Sequence, residues 1–255
     1  MSLPTARLPA GWTPAPGALD KRVVLVSGAT GGLGEAAARA CAAAGASVVL
    51  LGRRVPALEK VYDAIVASGA PEPAIYPVNL EGATPRDYDT LADVIERELG
   101  GLDGIVHAAA HFNALTPLEL HKPEDWLRSL QVNLTAPFLL TQACMPLLKA
   151  RGDSAAVFVL DDPQRLARAH WGAYGVAKAG LERFASILHE ETDRSPLRVH
   201  ALLPPPMRTT LRRMAYFGED TQQHPQPEAV APAVVYLLSR DGAAARGHVL
   251  DLREA

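Results

Sequence analysis

Ser27-Gly28-Ala29-Thr30-Gly31-Gly32-Leu33-Gly34 lies between two segments of opposite character. Before it, Val23-Val24-Leu25-Val26 is short, apolar and β-branched, and reads as a strand buried on both faces. After it, residues 34–44 are alanine-rich and read as a helix that Gly45 closes. A glycine-rich string alone says little, because loops often hold several glycines. Between the first strand and the first helix of a βαβ unit it says much more. There the glycines let the backbone approach a pyrophosphate, and the helix start offers free N–H groups and the positive end of its dipole. Gly28, Thr30, Gly31, Gly32, Leu33 and Gly34 are therefore candidate dinucleotide contacts.

The rest of the chain keeps the same rhythm. Further apolar runs at 47–51, 74–78, 104–107, 155–160, 197–203 and 248–250 read as strands. Helical patterns at 56–67, 86–99, 124–149, 171–192 and 227–238 separate them, the longest perturbed near Pro137. Strand–helix alternation implies parallel strands with right-handed crossovers. Continuous rather than alternating apolar strands imply helices on both faces. The expected fold is one α/β domain, residues 21–255, with a doubly wound, mostly parallel seven-stranded sheet of Rossmann type. Residues 1–20 carry Pro4, Pro9, Pro14 and Pro16 and read as a loose N-terminal arm; packing on a neighbouring subunit is the alternative.

Bulk properties narrow the function classes. Net charge is −3 with scattered basic residues, so nucleic-acid binding is not expected. There is no run of 18 apolar residues and no secretory leader pattern, so neither a membrane span nor export is expected. Cys41 and Cys144 form no C-x-x-C motif, which fits a reducing cytoplasm. His107 and His111 sit at a strand end, without H-E-x-x-H or a Cys/His cluster, so a metal centre is not expected.

Two further patterns point to chemistry. Arg53 and Arg54 follow the second strand, where an acidic residue would take the free ribose 2′-hydroxyl of NAD(H). Guanidinium groups suit a 2′-phosphate instead, so NADP(H) is favoured over NAD(H). Tyr174 and Lys178 are four residues apart on a predicted helix and share a face. A nearby ammonium favours the phenolate and lowers the tyrosine pKa toward a useful range.

Together these elements resemble the short-chain dehydrogenase/reductase superfamily over residues 20–252. Gly28, Gly32 and Gly34 fit its classical G-x-x-x-G-x-G spacing; Gly28, Gly31 and Gly34 also fit the extended-type G-x-x-G-x-x-G. The short chain favours the classical type. Tyr174 and Lys178 match the family Y-x-x-x-K, and Asn133 matches the helix asparagine of its tetrad. The resemblance implies an oxidoreductase that interconverts an alcohol and a carbonyl on a small-molecule substrate. Tyr174 would exchange the proton, Lys178 would lower the tyrosine pKa and bind the nicotinamide ribose, and Asn133 would hold a water linking Lys178 to solvent. The family also implies a homodimer or homotetramer built on the two long helices.

Several positions depart from the family pattern. Asp161 stands where the family serine lies, thirteen residues before Tyr174. An ionised carboxylate accepts hydrogen bonds only. It would repel an alkoxide and raise the pKa of Tyr174, or pair with Lys178; a protonated aspartate could donate. The N-A-G triplet after the fourth strand is Ala108-Ala109-Ala110. The adenine contact after the third strand is Asn79-Leu80, and the P-G loop after the sixth reads Pro204-Pro205-Pro206, with Thr209 beyond it. Met207 to Phe217 corresponds to the mobile flap over the substrate, whose Leu211, Met214, Tyr216 and Phe217 would form an apolar wall. His170 and Trp171 are further pocket candidates. These losses leave two alternatives open: a cofactor-binding protein with little turnover (a sensor or oligomeric partner), and a lyase or isomerase that uses Asp161.

Overall fold

The computed structural model describes residues 3–253; Met1 and Ser2 of the predicted arm and Glu254 and Ala255 lie outside the described residues. Among the described residues eight strands form one sheet: β1 (Thr5–Ala6), β2 (Val23–Ser27), β3 (Ser47–Gly52), β4 (Ala74–Pro77), β5 (Gly104–His107), β6 (Ser154–Val159), β7 (Leu197–Leu203) and β8 (Val249–Asp251). Their spatial order is β1-β8-β7-β6-β5-β2-β3-β4. Every pairing is parallel. The helices are α1 (Gly32–Ala43), α2 (Val55–Ala67), α3 (Pro85–Leu99), α4 (Pro123–Leu130), α5 (Ala136–Ala150), α6 (Pro163–Leu166), α7 (Gly172–Thr192), α8 (Thr210–Ala215) and α9 (Ala231–Leu238).

Strand β2 shows how sequence makes the layers. Successive side chains point to opposite faces. Val24 and Val26 enter one core with Ala37, Cys41, Leu58, Val234 and Leu237. Val23 and Leu25 enter the other with Leu91, Ile95, Leu140, Leu148 and Leu181. Helices α1, α2 and α9 thus cover one face, and α3, α5 and α7 the other. Strand order reverses between β2 and β5, the crevice where doubly wound sheets bind ligands.

The strand beyond the expected seven is β1, which the N-terminal arm contributes, so the arm is not loose. Thr5 and Ala6 pair with Val249 and Leu250, and Val249 N–H donates to Pro4 O at 2.8 Å. Leu3 is buried, and Trp12 packs edge-on against Tyr236 at 5.1 Å while its indole N–H reaches Asp241 at 2.9 Å. The prolines that suggested looseness are compatible with a two-residue edge strand, because Pro4 contributes a carbonyl and needs no ladder N–H.

The long predicted helix is perturbed one turn before Pro137. Residues Gln131–Thr135 form a π turn between α4 and α5, with Ala136 N–H bonded to Gln131 O. Pro137 has no N–H to offer the carbonyl of Asn133 four residues back, and its ring crowds that carbonyl. One widened turn resolves both problems and sets Asn133 at the bend. Residues 207–217 are likewise more ordered than a bare flap, because Thr209 Oγ1 accepts from Arg212 N–H at 3.1 Å and starts α8. No helix of the described residues is long and apolar enough to cross a membrane.

Candidate active site

One cavity of about 850 Å³ runs along the carboxyl ends of the central strands. At one end lies the glycine turn. Gly28 has φ +71°, and a Cβ there would sit 2.6 Å from Ala109 Cα. A Cβ at Gly34 would sit 2.1 Å from Gly28 O, and one at Gly32 would sit 2.7 Å from the Thr209 methyl. Each close approach excludes a side chain. The turn is also tied to β5, since Ser27 Oγ donates to Val106 O at 3.3 Å and accepts from Ala109 N–H at 3.4 Å. The result is a backbone cradle at the start of α1.

Gly28, Thr30, Gly31, Gly32, Leu33, Gly34, Arg53, Arg54, Asn79, Leu80, Ala108, Ala109, Ala110, Asp161, Tyr174, Lys178, Pro204 and Thr209 all line this cavity. Arg53 and Arg54 are both exposed. Arg53 pairs with Glu81 at 2.9 Å, and Arg128 approaches the same carboxylate at 3.4 Å. Glu81 is a residue that sequence reading missed; its position just past Leu80 was the available signal. Thr209 Oγ1 accepts from Arg212 N–H and caps α8, its methyl faces Gly32, and its O–H remains a donor.

Asn133 is the tetrad candidate outside the lining. It is fully buried, and its Oδ1 accepts from His111 N–H at 2.9 Å. Its Nδ2 donates to His111 O at 2.8 Å and to Ser129 O at 2.8 Å. The side chain therefore fastens the loop after β5 to the π turn.

At the other end of the cavity stand the candidate reacting side chains Asp161, Tyr174 and Lys178. Tyr174 and Lys178 occupy the first two turns of α7, as their spacing predicts. Lys178 Nζ donates to Val159 O at 2.8 Å and sits 5.9 Å from the Tyr174 ring centre. The Tyr174 hydroxyl donates to Asp161 Oδ2 at 3.0 Å. The other carboxylate oxygen accepts from Arg165 and from Asp162 N–H. Arg165 is also a residue that sequence reading missed. Asp162 caps the short helix α6 by accepting from Gln164 N–H at 3.0 Å, and Arg165 follows Asp161 at i+4. That spacing after an Asp-Pro helix start was the legible signal. The Arg165 guanidinium lies 5.2 Å from the Trp171 ring and 5.8 Å from the Tyr216 ring.

The electrostatics differ from the lysine-activated tyrosine that the spacing suggested. Burial, then the charge and hydrogen bond of Asp161, holds the Tyr174 phenol well above its ordinary 10; Arg165 opposes this. Burial pushes the Lys178 ammonium down to about 8 despite the pull of Asp161. His107 is pushed down to about 3, first by burial and then by Lys178, and its Nε2 meets Thr141 Oγ1 at 2.8 Å. Asp161 thus acts on Tyr174 as a carboxylate at the serine position was expected to act, and its ion pair is with Arg165 rather than Lys178.

Phe112, Trp171, Leu211, Met214 and Tyr216 form the apolar wall beside Tyr174. The Phe112 ring meets the Tyr174 ring at 5.5 Å. Two sequence candidates fall away: Phe217 is 95% exposed, and His170 lines a separate depression behind α6.

The short chain dehydrogenase family model matches residues 22–218. YciK of Escherichia coli K12, an uncharacterized oxidoreductase, is 33% identical over 233 residues, which cover 91% of this chain and 92% of YciK. A Pseudomonas syringae protein assigned as a short chain dehydrogenase superposes with a TM-score of 0.92 at 40% identity, covering 96% of this chain and 99% of that one. An E. coli CFT073 protein of the same assignment, solved with NADPH, gives a TM-score of 0.89 at 33% identity, covering 93% and 99%.

Proposed function

The chain belongs to the short-chain dehydrogenase family, and from that premise we propose that it is an NADP(H)-dependent oxidoreductase that interconverts an alcohol and a carbonyl. The observation that carries the proposal is that the glycine cradle and the Asp161–Tyr174–Lys178 group open into the same cavity. The cradle fits a pyrophosphate, since Gly28, Gly32 and Gly34 leave free the volume that side chains would fill. Arg54 makes no ion pair among the described residues and suits a 2′-phosphate, while Glu81 already neutralises part of Arg53. The NADPH complex of the E. coli relative supports the same preference.

When bound, the nicotinamide coenzyme accepts or supplies the hydride. The protein's part is orientation and proton handling. Lys178, anchored on Val159 O, would bind a ribose hydroxyl with its remaining N–H groups. Tyr174 and Asp161 are the groups that can meet a substrate oxygen. Asn133 holds the loop that carries His111 and Phe112 along the cavity wall. The apolar wall favours a substrate with hydrophobic substituents. Leu127, Phe138, Val176 and Ile187 are exposed on α4, α5 and α7, and they support self-association into a dimer or tetramer.

The engagement of the Tyr174 hydroxyl by Asp161 favours a second reading, cofactor binding with little turnover. One experiment separates the two. Carbonyls with NADPH and alcohols with NADP⁺ are screened by coenzyme absorbance, using wild type, Tyr174→Phe and Asp161→Ser. The first reading expects turnover that Tyr174→Phe lowers. Tight NADPH binding with no wild-type turnover, and strong activity gained by Asp161→Ser, would instead support the second.

A further inference from the structure

The local geometry around Asp161 determines which group moves the proton. The carboxylate has two engaged oxygens: Oδ1 faces Arg165 on α6, and Oδ2 receives the Tyr174 hydroxyl at 3.0 Å. The other charged groups around it are Lys178 on α7, Arg212 on α8 and the Asp162–Arg253 pair at 2.9 Å. Arg212 is committed to Glu219, with Nε to Oε2 at 2.6 Å, and Lys178 to Val159 O. Arg165 is therefore the cation in direct contact with the carboxylate. The carboxylate in turn is the acceptor of the Tyr174 proton.

We propose that Asp161 exchanges the proton with the substrate oxygen, while Tyr174 stays a phenol that donates a hydrogen bond to that oxygen and Arg165 holds the carboxylate in place. This rests on the oxidoreductase reading above and divides its labour differently from the sequence expectation.

An alcohol satisfies both groups at once. Its O–H donates to Asp161 Oδ2, and its oxygen accepts from the Tyr174 hydroxyl that in the free site points at the carboxylate. A carbonyl has no proton to give and would face an acceptor with lone pairs, so the ionised site selects the alcohol. In the oxidation, the alcohol O–H bond breaks and its proton passes to Asp161 Oδ2. The electron pair of that bond forms the second C–O bond as the carbinol hydrogen leaves, with both of its electrons, for the oxidised nicotinamide. Throughout, Tyr174 supplies the hydrogen bond that the family serine hydroxyl would have given. Forming a phenolate beside the Asp161 carboxylate would place two negative charges one hydrogen bond apart, and Arg165 offsets only one of them. The burial and the Asp161 contact that keep Tyr174 protonated point the same way.

The test reads the tyrosine directly and needs no substrate. Full-length protein saturated with NADP⁺ is titrated by tyrosinate absorbance, and the spectrum of Tyr174→Phe is subtracted, which isolates one of the six tyrosines. The expected result is no Tyr174 ionisation below about pH 10, the ordinary phenol range. Asp161→Ser, or the isosteric Asp161→Asn if the serine variant misfolds, should move the onset at least one pH unit lower. Ionisation of wild-type Tyr174 below about pH 10 overturns the proposal; so does an onset that is the same with and without the Asp161 charge. On any alcohol oxidised in the screen, Tyr174→Phe should lose about 10²–10³-fold, the effect of one oxyanion donor, and keep the wild-type pH profile. Asp161→Asn should change the profile. Arg165→Gln should lower kcat at unchanged KM for NADP⁺, with partial rescue by Arg165→Lys. Failure to bind NADP⁺ would sink the parent reading rather than this one.

Discussion

Replacing Gly28 by alanine tests whether the cradle is built on backbone contact rather than on sequence habit. Two costs follow from the structure. At φ +71° an L-residue with a Cβ lies in the left-handed region, at about 1–2 kcal/mol. The new Cβ would also lie 2.6 Å from Ala109 Cα and 2.8 Å from Ala109 N, so the chain after β5 must move. Overpacking of that kind costs about 1–3 kcal/mol. The two together give about 2–5 kcal/mol, and at about 2–4 °C per kcal/mol for a domain of this size the melting temperature should fall by about 4–20 °C. The internal control is Gly82→Ala, where a Cβ meets nothing within 4 Å and φ is not left-handed. That variant should stay within about 0.5 kcal/mol of wild type. Melting is followed by calorimetry, and NADPH affinity by coenzyme fluorescence. Gly28→Ala should lose both stability and affinity. A Gly28→Ala protein that melts with Gly82→Ala and binds NADPH as wild type does would refute the contact argument.

Two other perturbations read different parts of the molecule. Trp12→Ala removes the edge-on contact with Tyr236 and the indole bond to Asp241, and should cost about 1–3 kcal/mol in chemical denaturation; no loss would mean that the arm is not part of the folded sheet edge. Lys178 is pushed down to about 8 by burial, while a lysine in the unfolded chain keeps its proton to about pH 10.4. Below pH 8 both states carry the proton, and between about 8 and 10.4 the unfolded chain alone carries it, so stability rises with pH across that window. The stability of wild type relative to Lys178→Met should accordingly climb between those values in paired urea titrations, and a flat or falling difference would contradict the burial of the ammonium.

The layered sheet was legible because its signals are local. Val23 to Val26 and the alternating helices announce buried parallel strands, and the glycines between Gly28 and Gly34 sit where only a close backbone approach explains them. The arm differs from its sequence expectation because its four prolines mimic the composition of a loose segment. Pairing with Val249 and Leu250 spans almost the whole chain and leaves no local pattern in two residues. The candidate reacting group was half legible. Tyr174, Lys178 and Asp161 follow from spacing, but the partner each chooses does not. Asp161 has two cations near it in the fold, Arg165 and Lys178, and which one it meets depends on the turn that Asp162 and Pro163 begin. In the same way Asn133 was recognised by position. That its amide is used up on His111 and Ser129 depends on the π turn forced one turn before Pro137.

NADP(H) bound in this cavity would set its 2′-phosphate at the arginine end, beside Arg54. Isothermal titration of NADPH and NADH into the wild-type protein and into Arg54→Gln tests it most directly. The expected result is saturable binding of NADPH at one site per chain, weaker binding of NADH, and a loss of that difference in Arg54→Gln. Absence of NADPH binding, or equal affinity for both coenzymes in wild type, would contradict it.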